Sequence, residues 1–196
     1  MSKRCLIVNL DRCSGCDSCV VHCKYENGLG LGEYWNHVVS VGPNGEFPDV
    51  EMYRLPVFCQ QCENAACVHV CPTGASYRDH ETNVVIVDKD KCIGCRYCMF
   101  ACPYGVRHFN EEGGVVEKCT LCSQLTASGA DVPACVHNCP TGARFFGDLD
   151  DPESDVCREL AKYDEECIHS LPDPGGAHPS TKYILSPKVA EWKGLV

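Results

Sequence analysis

Cys92, Cys95 and Cys98 recur at every third position, Cys102 follows four residues later, and Pro103 closes the run. Thiolates at that spacing hold iron in a [4Fe–4S] cluster, and the fourth cysteine serves a second cluster. A loop with a thiolate at every third residue can wrap three corners of a cubane. Gly94 keeps the backbone thin, so that amides can approach the cluster sulfides. Cys102 comes too late to reach the same cube comfortably, and Pro103 turns the chain away without adding an amide donor. One motif therefore already implies a second cluster.

Three further motifs repeat the theme. Cys13, Cys16, Cys19 and Cys23 share the spacing, again with a glycine (Gly15) before the second cysteine, but Lys24 follows instead of proline. Cys59, Cys62, Cys67 and Cys71 have a longer middle interval, which predicts a bulge at 63–66, and Pro72 closes them. Cys119, Cys122, Cys135 and Cys139 end on Pro140, their third cysteine delayed by a loop over 123–134. Sixteen of the nineteen cysteines are thereby used, enough for four [4Fe–4S] clusters. No motif position carries Asp, Ser or Trp in place of cysteine, a change that would suggest a three-iron cluster. If each fourth cysteine crosses over, Cys59, Cys62 and Cys67 join Cys102, and Cys92, Cys95 and Cys98 join Cys71. Spacing supports that inner pair. By elimination, Cys13, Cys16 and Cys19 join Cys139, and Cys119, Cys122 and Cys135 join Cys23. Zinc would leave the third cysteine of such a run idle. Disulfides favour secreted chains with even counts, and nineteen is odd.

Cys5, Cys157 and Cys167 stand outside the motifs and are expected to pack as small hydrophobes in a strand and a helix. His22, His69 and His137 sit one or two residues before fourth cysteines. They could donate to cluster sulfur, although a packed or solvated imidazole is the plainer expectation. Arg12, Lys91, Arg96 and Lys118 adjoin motif cysteines, where positive charge would ease reduction; an exposed cation is the default for each. No nucleophile constellation and no phosphate-loop sequence is present, and Gly28-Leu-Gly-Leu-Gly32 lacks the strand that a dinucleotide motif needs. Clusters held by four cysteines have no open iron site. The chain should carry electrons, with no catalytic residue of its own.

The elements that position these loops are short. Strands are expected at 6–10, 34–41, 51–57, 83–88 and 182–185, and a loop at 171–180. A helix over 152–166 would start from Asp151 as N-cap with Pro152 in its first position. Ile7-Val-Asn-Leu-Asp-Arg-Cys13 is echoed by Ile86-Val-Asp-Lys-Asp-Lys-Cys92, and Cys71-Pro-Thr-Gly-Ala75 by Cys139-Pro-Thr-Gly-Ala143. Two ferredoxin-like [4Fe–4S] modules, one nested in the other, account for both repeats. The expected fold is α+β with short strands and helices. Residues 1–24 and 103–150 form the outer module, 59–102 the inner one, and 25–58 a hairpin insertion that packs over a cluster or faces a partner. Residues 151–196 form a C-terminal helix and a tail ending in Trp192 and Val196, which lies on the body or docks on a partner.

The formal charge of the 196 residues is −10, and each oxidised cubane adds roughly two negative charges. So acidic a chain is a poor match for nucleic acid. The longest apolar runs, 6–8 and 84–87, are far short of the roughly 20 residues of a membrane span. The N-terminus lacks the apolar core and cleavage site of an export signal. A cytoplasmic location is expected, membrane-associated only through a complex, unless a signal-bearing partner carries the folded chain to the periplasm.

The motif order resembles the iron–sulfur subunits of the dimethyl sulfoxide reductase type of molybdopterin oxidoreductase. That group includes the electron-transfer subunits of polysulfide, tetrathionate and arsenate reductases and of formate dehydrogenases. The resemblance rests on the four spacings in their order and on Gly147-Asp-Leu-Asp-Asp-Pro152, and it covers nearly the whole chain. It implies a four-cluster wire with the pairing above, between a membrane quinol or soluble donor and a large catalytic subunit. That subunit would hold a molybdenum or tungsten bis-pterin cofactor, and an integral membrane quinol-binding anchor often accompanies it. Cys102-Pro-Tyr-Gly-Val106 and Lys118-Cys-Thr-Leu-Cys122 are also similar to the small subunit of pyrogallol–phloroglucinol transhydroxylase. That relative lacks the full cysteine set, so a net redox reaction with an external donor fits better. The competing class is a free soluble polyferredoxin shuttling electrons among several enzymes, which the acidic charge suits. The hairpin insertion and C-terminal extension, unnecessary for a free carrier, favour the subunit.

Overall fold

The computed structural model describes residues 2–194. β1 (Arg4–Asn9) leads to α1 (Ser18–Asn27) and then to the hairpin strands β2 (Asn36–Asn44) and β3 (Glu51–Phe58). The middle of the chain is made of one-turn helices and three-residue strands. These are α2 (Ala66–His69), β4 (Ser76–Arg78), β5 (Val85–Val87), α3 (Tyr97–Phe100), β6 (His108–Asn110) and β7 (Val115–Glu117). There follow α4 (Ser123–Ala127), α5 (Ala134–His137), β8 (Arg144–Asp148) and α6 (Asp155–Leu160). A 3-10 turn (Glu165–Cys167), β9 (Ile168–His169) and β10 (Lys182–Ile184) close the described fold. The mixture of small sheets and short helices is the α+β architecture that the sequence predicts.

β1 is apolar throughout because both its faces are covered. Leu6 and Val8 point into the main core with Tyr53, Leu55, Val57 and Tyr183, while Cys5 and Ile7 point the other way, onto Val156 and Ile184. Cys5 is thus the strand core residue it was expected to be. β1 pairs antiparallel with β8 and parallel with β10, and β9 completes the sheet in the order β8-β1-β10-β9.

The sequence repeats fold alike. The strand after each Cys-Pro-Thr-Gly-Ala segment pairs antiparallel with the strand before a motif of triplet spacing, Ser76 opposite Val87 and Arg144 opposite Val8. Val87 and Val8 each stand five residues before a first cysteine, so the register is the same. A third small ladder, β6 with β7, was not foreseen. Its three-residue strands carry too little alternation to be read, although Glu112-Gly-Gly114 marked the turn.

The predicted hairpin is present, with β2 opposite β3 and an irregularity between Val41 and Asn44. The tail lies on the body. Trp192 stacks on Tyr53 and His169, and Lys193 N donates to the Tyr53 hydroxyl at 2.9 Å. Val196 lies outside the described residues.

The C-terminal helix is shorter than predicted. Ser154, not Asp151, caps it, its hydroxyl accepting from Cys157 N at 3.4 Å. Asp151 instead accepts from Glu153 N at 2.9 Å in the preceding turn. The helix stops at Leu160 because Tyr163 is drawn to Asn9 at 2.7 Å, and Cys167 joins the sheet by accepting from Leu185 N at 2.9 Å. Cys157 is helical as expected, whereas Cys167 belongs to the 3-10 turn. Gly28, first of the alternating glycines, ends α1 with its N–H on the Lys24 and Tyr25 carbonyls.

Candidate functional site

All four cysteine motifs share one local conformation. The residue before the second cysteine has positive φ in each: Gly15 (71°), Gln61 (49°), Gly94 (67°) and Leu121 (54°). Such a turn aims successive amides into a concavity, a geometry that binds anions. The amides of Gly15 and Leu121 reach back to Cys13 and Cys119. Val116 N, from β7, donates to Cys92 Sγ at 3.5 Å.

These loops bring distant cysteines together. Cys13, Cys16 and Cys19 line one cavity with Cys139. Cys119, Cys122 and Cys135 line a second with Cys23, and Cys92, Cys95 and Cys98 line a third with Cys71. Cys62 has Cys59, Cys67 and Cys102 as its neighbouring thiols. Each group joins three cysteines of one motif to the fourth of another. The hairpin covers two of the cavities, with Trp35, Asn36 and Phe58 over the Cys23 group and Val38 over the Cys13 group.

The repeated Cys-Pro-Thr-Gly-Ala segments treat their cysteines identically. Ser76 N donates to Cys71 Sγ and Ala143 N to Cys139 Sγ, both at 3.3 Å, and Thr73 and Thr141 bring hydroxyls to within 3.7 and 3.6 Å. Burial raises these two thiols, but the amide and hydroxyl donors outweigh it and hold both below the ordinary thiol value. At eight other motif cysteines burial wins. It pushes Cys23 and Cys62 up to about 12 and Cys122 up to about 11, and it raises Cys13, Cys67, Cys98, Cys119 and Cys135. The thiols that burial raises stay protonated unless a cationic centre takes the protons' place.

Among the described residues, no three His, Cys, Asp or Glu side chains are placed to hold a single metal ion. A cubane differs in putting each thiolate on its own iron, so its ligands surround a volume and not a point. Of the buried donors without a hydrogen-bond partner among the described residues, three stand beside motif cysteines: Trp35 Nε1, the Tyr104 hydroxyl and Arg107 Nη1. Trp35 lines the Cys23 cavity, Tyr104 lies beside Cys62 and Cys102, and Arg107 lies beside Cys67 and Cys98. All-thiol donor sets with inward amides and unpartnered donors suit a cluster rich in sulfide.

The histidines do not reach the cysteine sulfurs. His22 Nδ1 is 2.8 Å from Ser18 O, His69 Nε2 is 2.8 Å from Asn64 Oδ1, and His137 is exposed. Arg12, Lys91 and Arg96 are largely exposed and pair with Glu159, Asp88 and Glu111. Lys118 departs from the expectation of an exposed cation. It is 1 % exposed and donates to the carbonyls of Val85 and Cys119.

Two site residues escaped the sequence reading. Arg107 and Arg144 are only 6 % and 4 % exposed and lie against the motif cysteines. A signal was present. Both are the fifth residue after a fourth cysteine, in Cys102-Pro-Tyr-Gly-Val-Arg107 and Cys139-Pro-Thr-Gly-Ala-Arg144.

Comparison with known proteins points to iron–sulfur chemistry. The model of the 4Fe-4S dicluster domain family matches residues 50–149. A Halobacterium salinarum protein named as a candidate iron–sulfur subunit of dimethyl sulfoxide reductase is 46% identical over 91% of this chain and 78% of its own length. A sulfite dehydrogenase subunit of Allochromatium vinosum is 38% identical, over 94% of this chain and 83% of its own. The arsenate respiratory reductase iron–sulfur subunit ArrB of a Shewanella species is 34% identical, over 92% and 95%.

Proposed function

The chain belongs to the 4Fe-4S dicluster family of iron–sulfur electron-transfer subunits, and from that premise we propose that it relays electrons through four [4Fe–4S] clusters to or from a molybdopterin catalytic subunit. The observation that carries the reading is the crossover of fourth cysteines. Cys139 sits with Cys13, Cys16 and Cys19; Cys23 with Cys119, Cys122 and Cys135; and Cys71 with Cys92, Cys95 and Cys98. The remaining group, Cys59, Cys62, Cys67 and Cys102, would hold the fourth cluster. When bound, the clusters supply one-electron redox chemistry. This chain's residues hold them apart from water, orient them and set the charge around them.

On this reading the outer module comprises 1–24 and 103–150 and the inner one 59–102. The common register of β8 on β1 and of β4 on β5 supports that division. Apolar side chains left open to solvent support a docked subunit over a free carrier. Phe47 at the hairpin tip is 93 % exposed, and Phe100, beside the Cys92–Cys98 loop, is 88 % exposed. No helix among the described residues is long and apolar enough to cross a membrane.

The test is anaerobic isolation from the native host. Co-elution with a larger subunit carrying molybdenum or tungsten is the expected result. Elution alone, with no second metal, would mean a free polyferredoxin.

A further inference from the structure

Arg107 and Arg144 occupy equivalent places in the two modules. Arg144 lines both the Cys13 cavity and the Cys23 cavity, so its guanidinium stands between the two cysteine groups of the outer pair. Its charge lies against Cys135 of one group and Cys19 of the other. Arg107 lies against Cys67 of one inner group and Cys98 of the other. Each is held in place by one polar partner and leaves the rest of its fork to the sulfurs. Arg144 Nη2 donates to Asn36 Oδ1 at 2.8 Å, and its Cζ lies 5.0 Å from the centre of the Phe58 ring. Arg107 Nη2 donates to Ser76 Oγ at 2.8 Å, which leaves Nη1 without a hydrogen bond.

No carboxylate offsets either cation. Salt bridges among the described residues include neither arginine. A buried charge without a counter-charge is costly. What pairs with these two is the negative charge that thiolate-ligated clusters bring. The third buried cation, Lys118, is different, since two carbonyls already satisfy it.

Resting on the four-cluster reading above, we propose that Arg107 and Arg144 are positioning residues that raise the reduction potentials of both clusters of their own module. Each transfer within a pair moves one electron, oxidising one cluster as it reduces the other, and the arginine exchanges no proton. A fixed cation between the two stabilises the added electron on either side. Both potentials of a pair therefore rise together, and the step between them is left as it was.

The test is a redox titration of the isolated complex, followed by EPR, for the wild type and for Arg107→Gln, Arg144→Gln, Arg107→Lys and Arg144→Lys. Each glutamine variant should lower two of the four potentials, a different two for each. The expected loss is tenfold or more in the one-electron reduction equilibrium, about 59 mV per tenfold. The lysine variants, which keep the charge but lose the fork, should recover most of the shift. Unmoved potentials in a glutamine variant with all four clusters present would overturn the inference and leave the four-cluster reading intact. If a glutamine variant loses iron, the lysine variant decides. Clusters retained near wild-type potential support a role for charge, and loss of iron in both variants means a merely structural role and overturns it. A wild-type complex without four clusters would overturn the reading, and the inference with it.

Discussion

Cys102 states the organisation of the molecule in one residue. It follows its own motif closely in sequence, yet it lies with Cys59, Cys62 and Cys67. If it ligates there, Cys102→Ser and Cys59→Ser should abolish the same EPR signal, and Cys92→Ser a different one. A Cys102→Ser variant that loses the signal lost in Cys92→Ser would contradict the crossover. A second residue-scale prediction concerns Glu159, which is buried yet charged. Burial raises its carboxyl, but Lys162 at 2.6 Å, Asn9 at 3.2 Å and Arg12 at 3.3 Å hold it below the usual range. Because the folded value is the lower one, the stabilisation is complete above the unfolded value near 4.3 and is lost as pH falls through the folded value. Glu159→Gln should cost about 1–3 kcal/mol, with a thermal-unfolding difference that stays constant from pH 8 to pH 5. A difference that has vanished by pH 6 would show that the carboxylate is not what stabilises.

At the scale of elements, the cysteine loops depend on one backbone conformation. Gly15 and Gly94 both supply positive φ, but their surroundings differ. A Cβ on Gly94 would come within 2.5 Å of the Gly114 carbonyl oxygen, which belongs to the backbone and cannot step aside. A Cβ on Gly15 would meet the Arg54 side chain at 2.8 Å, and that chain can swing. Both variants to Ala carry the left-handed strain of about 1–3 kcal/mol. Gly94→Ala should lose more thermal stability and more iron than Gly15→Ala; equal losses would mean that the carbonyl contact is immaterial. The motifs and the hairpin were legible because thiolate spacing and two strand-length runs on either side of turn formers are strong local signals. What escaped was set by long-range partners. The helix expected over 152–166 is cut short by the pull of Asn9 on Tyr163, and β6 and β7 exist only through each other. Lys118 looked like any exposed cation beside a cysteine, because nothing local says that the Val85 carbonyl will arrive to accept from it.

Over the whole molecule, the clusters would be part of the core. The main apolar cluster includes Cys19, Cys59 and Cys135, with Cys62, Cys102 and Cys119 packed against it. Without iron, the buried thiols face each other around empty volume, and the small ladders have little else to hold them. Chelation of iron should therefore abolish the cooperative thermal transition and expose the Trp35 and Trp192 rings, read by fluorescence. A compact apoprotein that melts cooperatively would contradict this. The central claim, a four-cluster relay, is tested most directly by counting iron and acid-labile sulfide per chain in the anaerobically isolated complex. Four cubanes predict about sixteen of each. A value of about twelve or fewer would mean that one of the four cysteine groups holds no cubane.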